Sequence, residues 1–150
     1  MLLSLVFLLA SLLQPHPPVA DLQLVFQLGD NANRGTLMVA LFESEDNFEN
    51  DTPTYSTTQA VAGSGGEIRI SIPDVAAGTY AVAAYHDRNN NEKLDRNLFG
   101  VPTEAYGFIN EPASKWRAPR WEEISIAIAD QDQEIQIEQY RNPFLPGLPD

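Results

Sequence analysis

Alternation of apolar and polar side chains runs through most of the chain. Leu22, Leu24, Phe26 and Leu28 keep one phase of a two-residue period, with Gln23 and Gln27 in the other, the pattern of a strand with one buried face. Ile68, Ile70 and Ile72 alternate with Glu67, Arg69 and Ser71, and Ile124, Ile126 and Ile128, then Ile135 and Ile137, repeat the pattern. Thr36 to Phe42 and Gly78 to Tyr85 are apolar in both phases, as central strands are. No segment carries the 3.6-residue stripe of an amphipathic helix. Six or seven short strands with β-branched inward faces and turn residues between them predict an all-β fold, an antiparallel β-sandwich of immunoglobulin-like or prealbumin-like form.

The breaks in the pattern set the boundaries. Met1 to Leu13 is a nearly unbroken apolar run too short to span a bilayer, followed by Gln14-Pro15-His16-Pro17-Pro18-Val19-Ala20. Residues 1–20 therefore read as a signal peptide cleaved after Ala20, with retention as an anchor the alternative because no Lys or Arg precedes the run. A β-sandwich domain over residues 21–140 follows, and then a tail, 141–150, whose Pro143, Pro146 and Pro149 cannot continue a ladder. Gly63-Ser64-Gly65-Gly66 has no Lys after it and opens no helix, so it is a hairpin turn and not a phosphate loop. Glu43 to Asp51 holds five acids and no base; it reads as a solvated loop, with a second weak cation site as the alternative.

Charge narrows the function classes. The formal charge of −12 falls entirely after Ala20, and so acidic a surface repels nucleic acid and anionic membranes while attracting divalent cations. With no Cys there is neither a disulfide nor a thiolate metal site. The expectation is an exported protein, periplasmic or extracellular, with no stable membrane span once the signal is removed and no nucleic-acid partner.

The densest chemistry lies between His86 and Asn110. Asp87, Asn89, Asn91 and Asp95 occupy positions one, three, five and nine of a loop, the alternate spacing from which an extended chain offers oxygens to a hard cation such as calcium. The Lys93 carbonyl adds a fifth donor, and Glu104, returned by the turn at Gly100 and Pro102, is the candidate sixth. Glu92 stands where an EF-hand has its turn glycine, so it is expected in a left-handed conformation at a cost of about 1 kcal/mol. The bland alternative is that these Asn and Asp residues build an Asx-rich turn between strands.

These residues carry a resemblance. The strings Gly78-Thr79-Tyr80-Ala81-Val82, His86-Asp87-x-Asn89-x-Asn91-x-x-Leu94-Asp95-x-Asn97 and Gly100-x-Pro102-x-Glu104-x-x-Gly107-Phe108, with Asn110 and Pro119 beyond, resemble the family of exported bacterial proteins catalogued as domain of unknown function 2141. The chain departs from that pattern at Glu92, where the family favours Gly, and at Ile109, where it favours Ser. The family name implies no activity. Ile72 to Tyr80 also resembles the strand-leading turn of prealbumin-like and carboxypeptidase-regulatory sandwich domains, which implies the fold alone.

His86 sits beside Asp87 and could ligate a metal or act as a base, but no nucleophile accompanies it, and a hydrogen-bonded structural role is the simpler reading. Nothing marks Asp87, Asp95 or Glu104 as an acid/base pair split by environment. Tyr106, Phe108, Trp116 and Trp121, with Lys115, Arg117 and Arg120 alongside, suggest with His86 a partner surface for an envelope protein or glycan. The alternative is that Phe108 and Trp121 pack over the sandwich. The expected function is thus a non-enzymatic binding or envelope module with a calcium-type loop; a purely structural module without ligand and an unrecognised hydrolase are the competing classes.

Overall fold

A computed structural model describes residues 18–28, 34–61, 66–114 and 117–137. Residues 1–17 of the expected signal, Gly63 to Gly65, Lys115, Trp116 and the expected tail lie outside the described residues.

Two sheets pack face to face. One has the order β4-β1-β8, from β1 (Val19–Gln27), β4 (Glu67–Ala76) and β8 (Gln133–Ile137). The other, five-stranded, has the order β3-β2-β5-β6, from β2 (Thr36–Phe42), β3 (Tyr55–Ala60), β5 (Gly78–Asp87) and β6 (Tyr106–Phe108), with β7 (Ser125–Ile128) also pairing β5. The expected sandwich is correct. The expected strand count is low, because β3 and β6 bring it to eight among the described residues, and the sheets are not wholly antiparallel, because β8 runs parallel to β1 from Leu22↔Gln133 to Phe26↔Ile137. Two short helices among the described residues were also unforeseen. α1 (Glu45–Glu49) forms inside the acidic stretch read as a loop. It starts where the Ser44 hydroxyl accepts from the Asn47 N–H at 3.2 Å, and Glu45 and Asp46 favour its N-terminal dipole. α2 (Trp121–Ile124) takes Ile124 out of the strand assigned to it.

The alternating apolar residues become the core. Leu22, Leu24 and Phe26 from β1, Ile68, Ile70 and Ile72 from β4, Leu37, Val39 and Leu41 from β2 and Tyr80, Val82 and Ala84 from β5 are all buried in one cluster between the sheets. Each large apolar side chain so placed contributes about 1.5–3 kcal/mol. Val25 points the other way and is still fully buried. Its cross-strand neighbours are Arg69 and Gln136, and Arg69 reaches across β1 to Glu134 at 2.9 Å, so the guanidine stem roofs the valine.

The chain crosses between sheets from β4 to β5. Asp74 takes a φ of 57° there, and the Tyr80 hydroxyl donates back to the Ala76 carbonyl at 3.0 Å, fixing the corner. β5 then runs as the hub of its sheet, pairing with β2, β6 and β7. Its last residues, His86 and Asp87, arrive opposite Leu37 and Thr36 at one end of the sandwich. Everything of chemical interest begins at that end.

Candidate functional site

Asp87 ends β5 with 1 % of its surface exposed. Its Oδ1 accepts from the Asn91 N–H at 3.2 Å and its Oδ2 from the Glu92 N–H at 2.7 Å, so one carboxylate winds the first turn of the loop around itself. The winding requires left-handed backbone at Asn90 (φ 58°) and Glu92 (φ 61°), which Asn tolerates and Glu adopts only at some cost. Thr36 donates to the Asn90 side chain at 2.9 Å and ties the turn to β2. Beneath it runs Gly35, at φ 89°, where a methyl group would overlap the Asp87 carbonyl.

The rest of the loop is wired in the same way. Asn89 and Asn91 each accept a backbone N–H two residues on, from Asn91 and Lys93, and their amides donate to the two oxygens of Asp95 at 2.7 and 2.9 Å. The chain turns at Asn97 to Gly100 and returns through Pro102, which bridges Arg96. That return brings back Glu104, 5 % exposed, whose oxygens accept from the Arg88 N–H at 2.8 Å and the Asp95 N–H at 3.1 Å. Glu104 clamps the two ends of the loop together. The oxygens of Asp87, Asn89, Asn91, Asp95 and Glu104 are of the type a hard cation takes, but in this geometry they are directed at one another and at backbone N–H groups. Among the described residues no three His, Cys, Asp or Glu side chains converge on a point a metal ion could fill.

The wired loop stands beside the outer face of the five-stranded sheet. There Ala40 lies directly opposite Ala83, flanked by Met38 opposite Tyr85 and by Phe108 and Tyr106 opposite Ala83 and Tyr85. Small side chains ringed by large ones leave a depression. Phe48 of α1 covers Phe42, which is why that outward residue is buried, with ring centroids 5.4 Å apart. Phe48 also meets Phe108 edge-on at 6.1 Å, and Phe108 meets Tyr106 at 6.2 Å. Leu94, Phe99 and Val101 of the loop form the facing wall, with Arg117 and Pro119 at the rim. The result is an open groove of about 1210 Å³, large enough for an extended ligand. At the tip of its wall Leu98 is 101 % and Phe99 90 % exposed.

Charge is distributed unevenly around the groove. Asp51 and Glu92 line it together with Lys93, Arg96 and Arg117, a local balance unlike the chain's overall excess of acid. Arg117 is paired with Glu123 through both terminal guanidinium nitrogens; that hydrogen bonding, and then the Arg120 N–H, lower the Glu123 carboxyl pKa to about 2. Arg96 is held by the Gly100 carbonyl at 3.0 Å. Burial, and then the negative charge of Asp87, Glu104, Asp51 and Glu92, push the Tyr85 hydroxyl above its ordinary range.

Of the residues expected to form a partner surface, the structure brings Tyr106 and Phe108 to the groove. His86 is buried, facing the opposite side of the sheet from Tyr85, with its Nε2 donating to the Arg34 carbonyl at 2.7 Å. Trp121 opens α2 away from the groove lining, and Trp116 lies outside the described residues. Phe48, Tyr85, Leu98 and Phe99 escaped the sequence reading. A signal for the groove was present: Thr36 to Phe42 and Gly78 to Tyr85 are apolar in both phases, so this sheet has a second apolar face.

The model of a bacterial family described as "Uncharacterized protein conserved in bacteria (DUF2141)" matches residues 29–136, a span that includes the loop and the groove. No curated protein and no solved structure matches the chain.

Proposed function

We propose that this chain, which belongs to the DUF2141 family, is an exported, non-enzymatic binding module whose outer-sheet groove takes a saccharide of the bacterial envelope. The observation that carries this reading is the pair Leu98 and Phe99, fully exposed at the tip of a loop held rigid by Asp87, Asp95 and Glu104, beside a row of partly open aromatic rings. Exposed apolar surface rimmed by polar groups marks an interaction site. Ring faces stack on sugars, while Ser56, Thr58, Lys93 and Arg96 around them supply hydroxyl and charged hydrogen-bond partners. An array of envelope saccharides, including peptidoglycan fragments and lipopolysaccharide oligosaccharides, tests it. The protein should bind a subset, and Tyr106→Ala combined with Phe108→Ala should reduce binding at least tenfold. Binding to no saccharide, or equal binding by the variant, contradicts the reading.

Calcium enters the proposal through the same loop. Asp87 and Glu104 are buried carboxylates with no basic side chain among their described partners. A cation held by Asp87, Asn89, Asn91, Asp95 and the Lys93 carbonyl, with Glu104 behind them, would offset that charge; it would displace the two amide hydrogen bonds on Asp95.

Export rests on the apolar run before Gln14, and one feature of β1 supports cleavage after Ala20. The Asp21 nitrogen lies 3.0 Å from Asp132 Oδ1, so a new amino terminus there would gain an ion pair. The ladder lost with Val19 and Ala20 lies beyond a shift in register between Ala20 and Leu22. Among the described residues no helix is long and apolar enough to cross a membrane.

A further inference from the structure

The five-stranded sheet ends on β3, and of the described edges this one is the least protected. Proteins blunt their edge strands with charge, proline, irregular backbone or shortness, because unpaired N–H and C=O groups recruit other strands. β4, at the edge of the other sheet, carries Glu67, Arg69, Pro73 and the left-handed Asp74. β8 carries Glu134 on a five-residue strand, and β6 and β7 have three and four residues. β3 has six, Tyr-Ser-Thr-Thr-Gln-Ala, with no charge, no proline and an unbroken register against β2 from Thr36↔Ala60 to Leu41↔Tyr55.

The phase of that ladder shows what β3 offers outward. The Val61 N–H donates to the Gly35 carbonyl at 3.1 Å, and hydrogen-bonded pairs alternate along an antiparallel ladder. Gln59, Thr57 and Tyr55 therefore turn their backbone groups toward β2, and Ser56, Thr58 and Ala60 turn theirs to the edge. No backbone partner for those three exists among the described residues.

We propose that the β3 edge pairs with the β3 edge of a second copy of this chain, antiparallel about a twofold axis at Thr57 or Thr58. The register about Thr58 sets all three outward residues against outward residues, Thr58 against itself and Ser56 against Ala60, and the register about Thr57 sets Ser56 against Thr58. Two features of the strand select a second copy as the occupant. Its pattern of outward groups is self-complementary, and its cross-strand pairs would join only uncharged side chains, so no like charges oppose one another in a chain carrying −12. Ser56 and Thr58 also line the groove, so pairing would make the two grooves continuous. The strand pair alone is small against the roughly 1,600 Å² of a stable interface, so the dimer is weak. Because each copy is acidic, salt should strengthen it by screening.

Sedimentation of the protein as the cell produces it, over a range of concentrations up to about 1 mM and at low and about 0.5 M salt, tests this. The mass should move from monomer toward dimer with concentration, at lower concentration in the higher salt. Thr58→Pro removes an outward N–H and no bond to β2, and should raise the dissociation constant at least tenfold while leaving the melting temperature within a few degrees. Should that variant not fold, Thr58→Glu, which sets a like charge at the twofold, should have the same effect. A protein that stays monomeric throughout, or a folded Thr58 variant that dimerises as readily as the natural chain, overturns the proposal.

Discussion

Asp87 shows how much of the loop hangs on one side chain. Its two oxygens satisfy the N–H groups of Asn91 and Glu92 in a position almost closed to water, and a donor left unpaired there costs about 1–3 kcal/mol. Asp87→Ala should therefore lower stability by about 2–3 kcal/mol, on the order of 5–15 °C in Tm, measured by thermal denaturation with calcium and with chelator. Glu92→Gly works in the other direction, since it relieves a left-handed glutamate (φ 61°) and should stabilise by about 1 kcal/mol. The pair of substitutions also separates the two readings of the loop. If calcium binds the folded state alone, a hundredfold excess over its dissociation constant should add about 2.7 kcal/mol to the natural protein, and none to Asp87→Ala. Equal melting temperatures in calcium and chelator, for the natural protein and for Glu92→Gly, would leave hydrogen bonds as the loop's whole support. The left-handed Glu92 was legible in the sequence, because the spacing of Asp and Asn demanded a turn there. The clamp by Glu104 was legible as a return to the loop, but its partners, the N–H groups of Arg88 and Asp95, were not, since backbone donors leave no mark on residue identity.

At the scale of elements, what the core imprints was readable and what it does not touch was not. β1 and β4 bury one face each, so Leu and Ile fall at every second position and the strands announce themselves. β3 buries almost nothing and carries hydroxyls instead, β6 is three residues long, and the two helices among the described residues are too short for a stripe to develop. The parallel setting of β8 was hidden for a different reason: alternation is the same read in either direction. The two-phase apolar runs of β2 and β5 marked the groove's floor, but its outline was hidden because its walls come from α1, β6 and the loop, far apart in sequence and joined only by folding. β1 also supplies a prediction. If the chain is exported as proposed, mass spectrometry of the protein as the cell produces it should find an amino terminus at Asp21, where the amine would face Asp132. A terminus upstream of Val19 would instead keep the whole β1–β4 ladder, and would count against cleavage after Ala20. A start at Asp21 should be accompanied by loss of stability in Asp132→Asn at neutral pH.

For the whole molecule, the two sheets divide the labour. The β4-β1-β8 sheet turns outward Gln23, Gln27, Arg69 and Glu134, tied by hydrogen bonds and ion pairs into a polar surface. The five-stranded sheet turns outward Met38, Ala40, Ala83, Tyr85, Tyr106 and Phe108, an apolar face that α1 and the loop cover only in part. The saccharide-binding role proposed above rests on this open face and on Lys93 and Arg96 at its margin. The most direct test is chemical-shift mapping on the isotopically labelled protein, titrated with fragments of peptidoglycan and with lipopolysaccharide oligosaccharides. Perturbations should gather at Tyr85, Leu98, Phe99, Tyr106 and Phe108 and should saturate with concentration, while the amides of β4, β1 and β8 stay unmoved. An unchanged spectrum with every saccharide, or changes confined to the β4-β1-β8 face, would contradict a saccharide-binding groove.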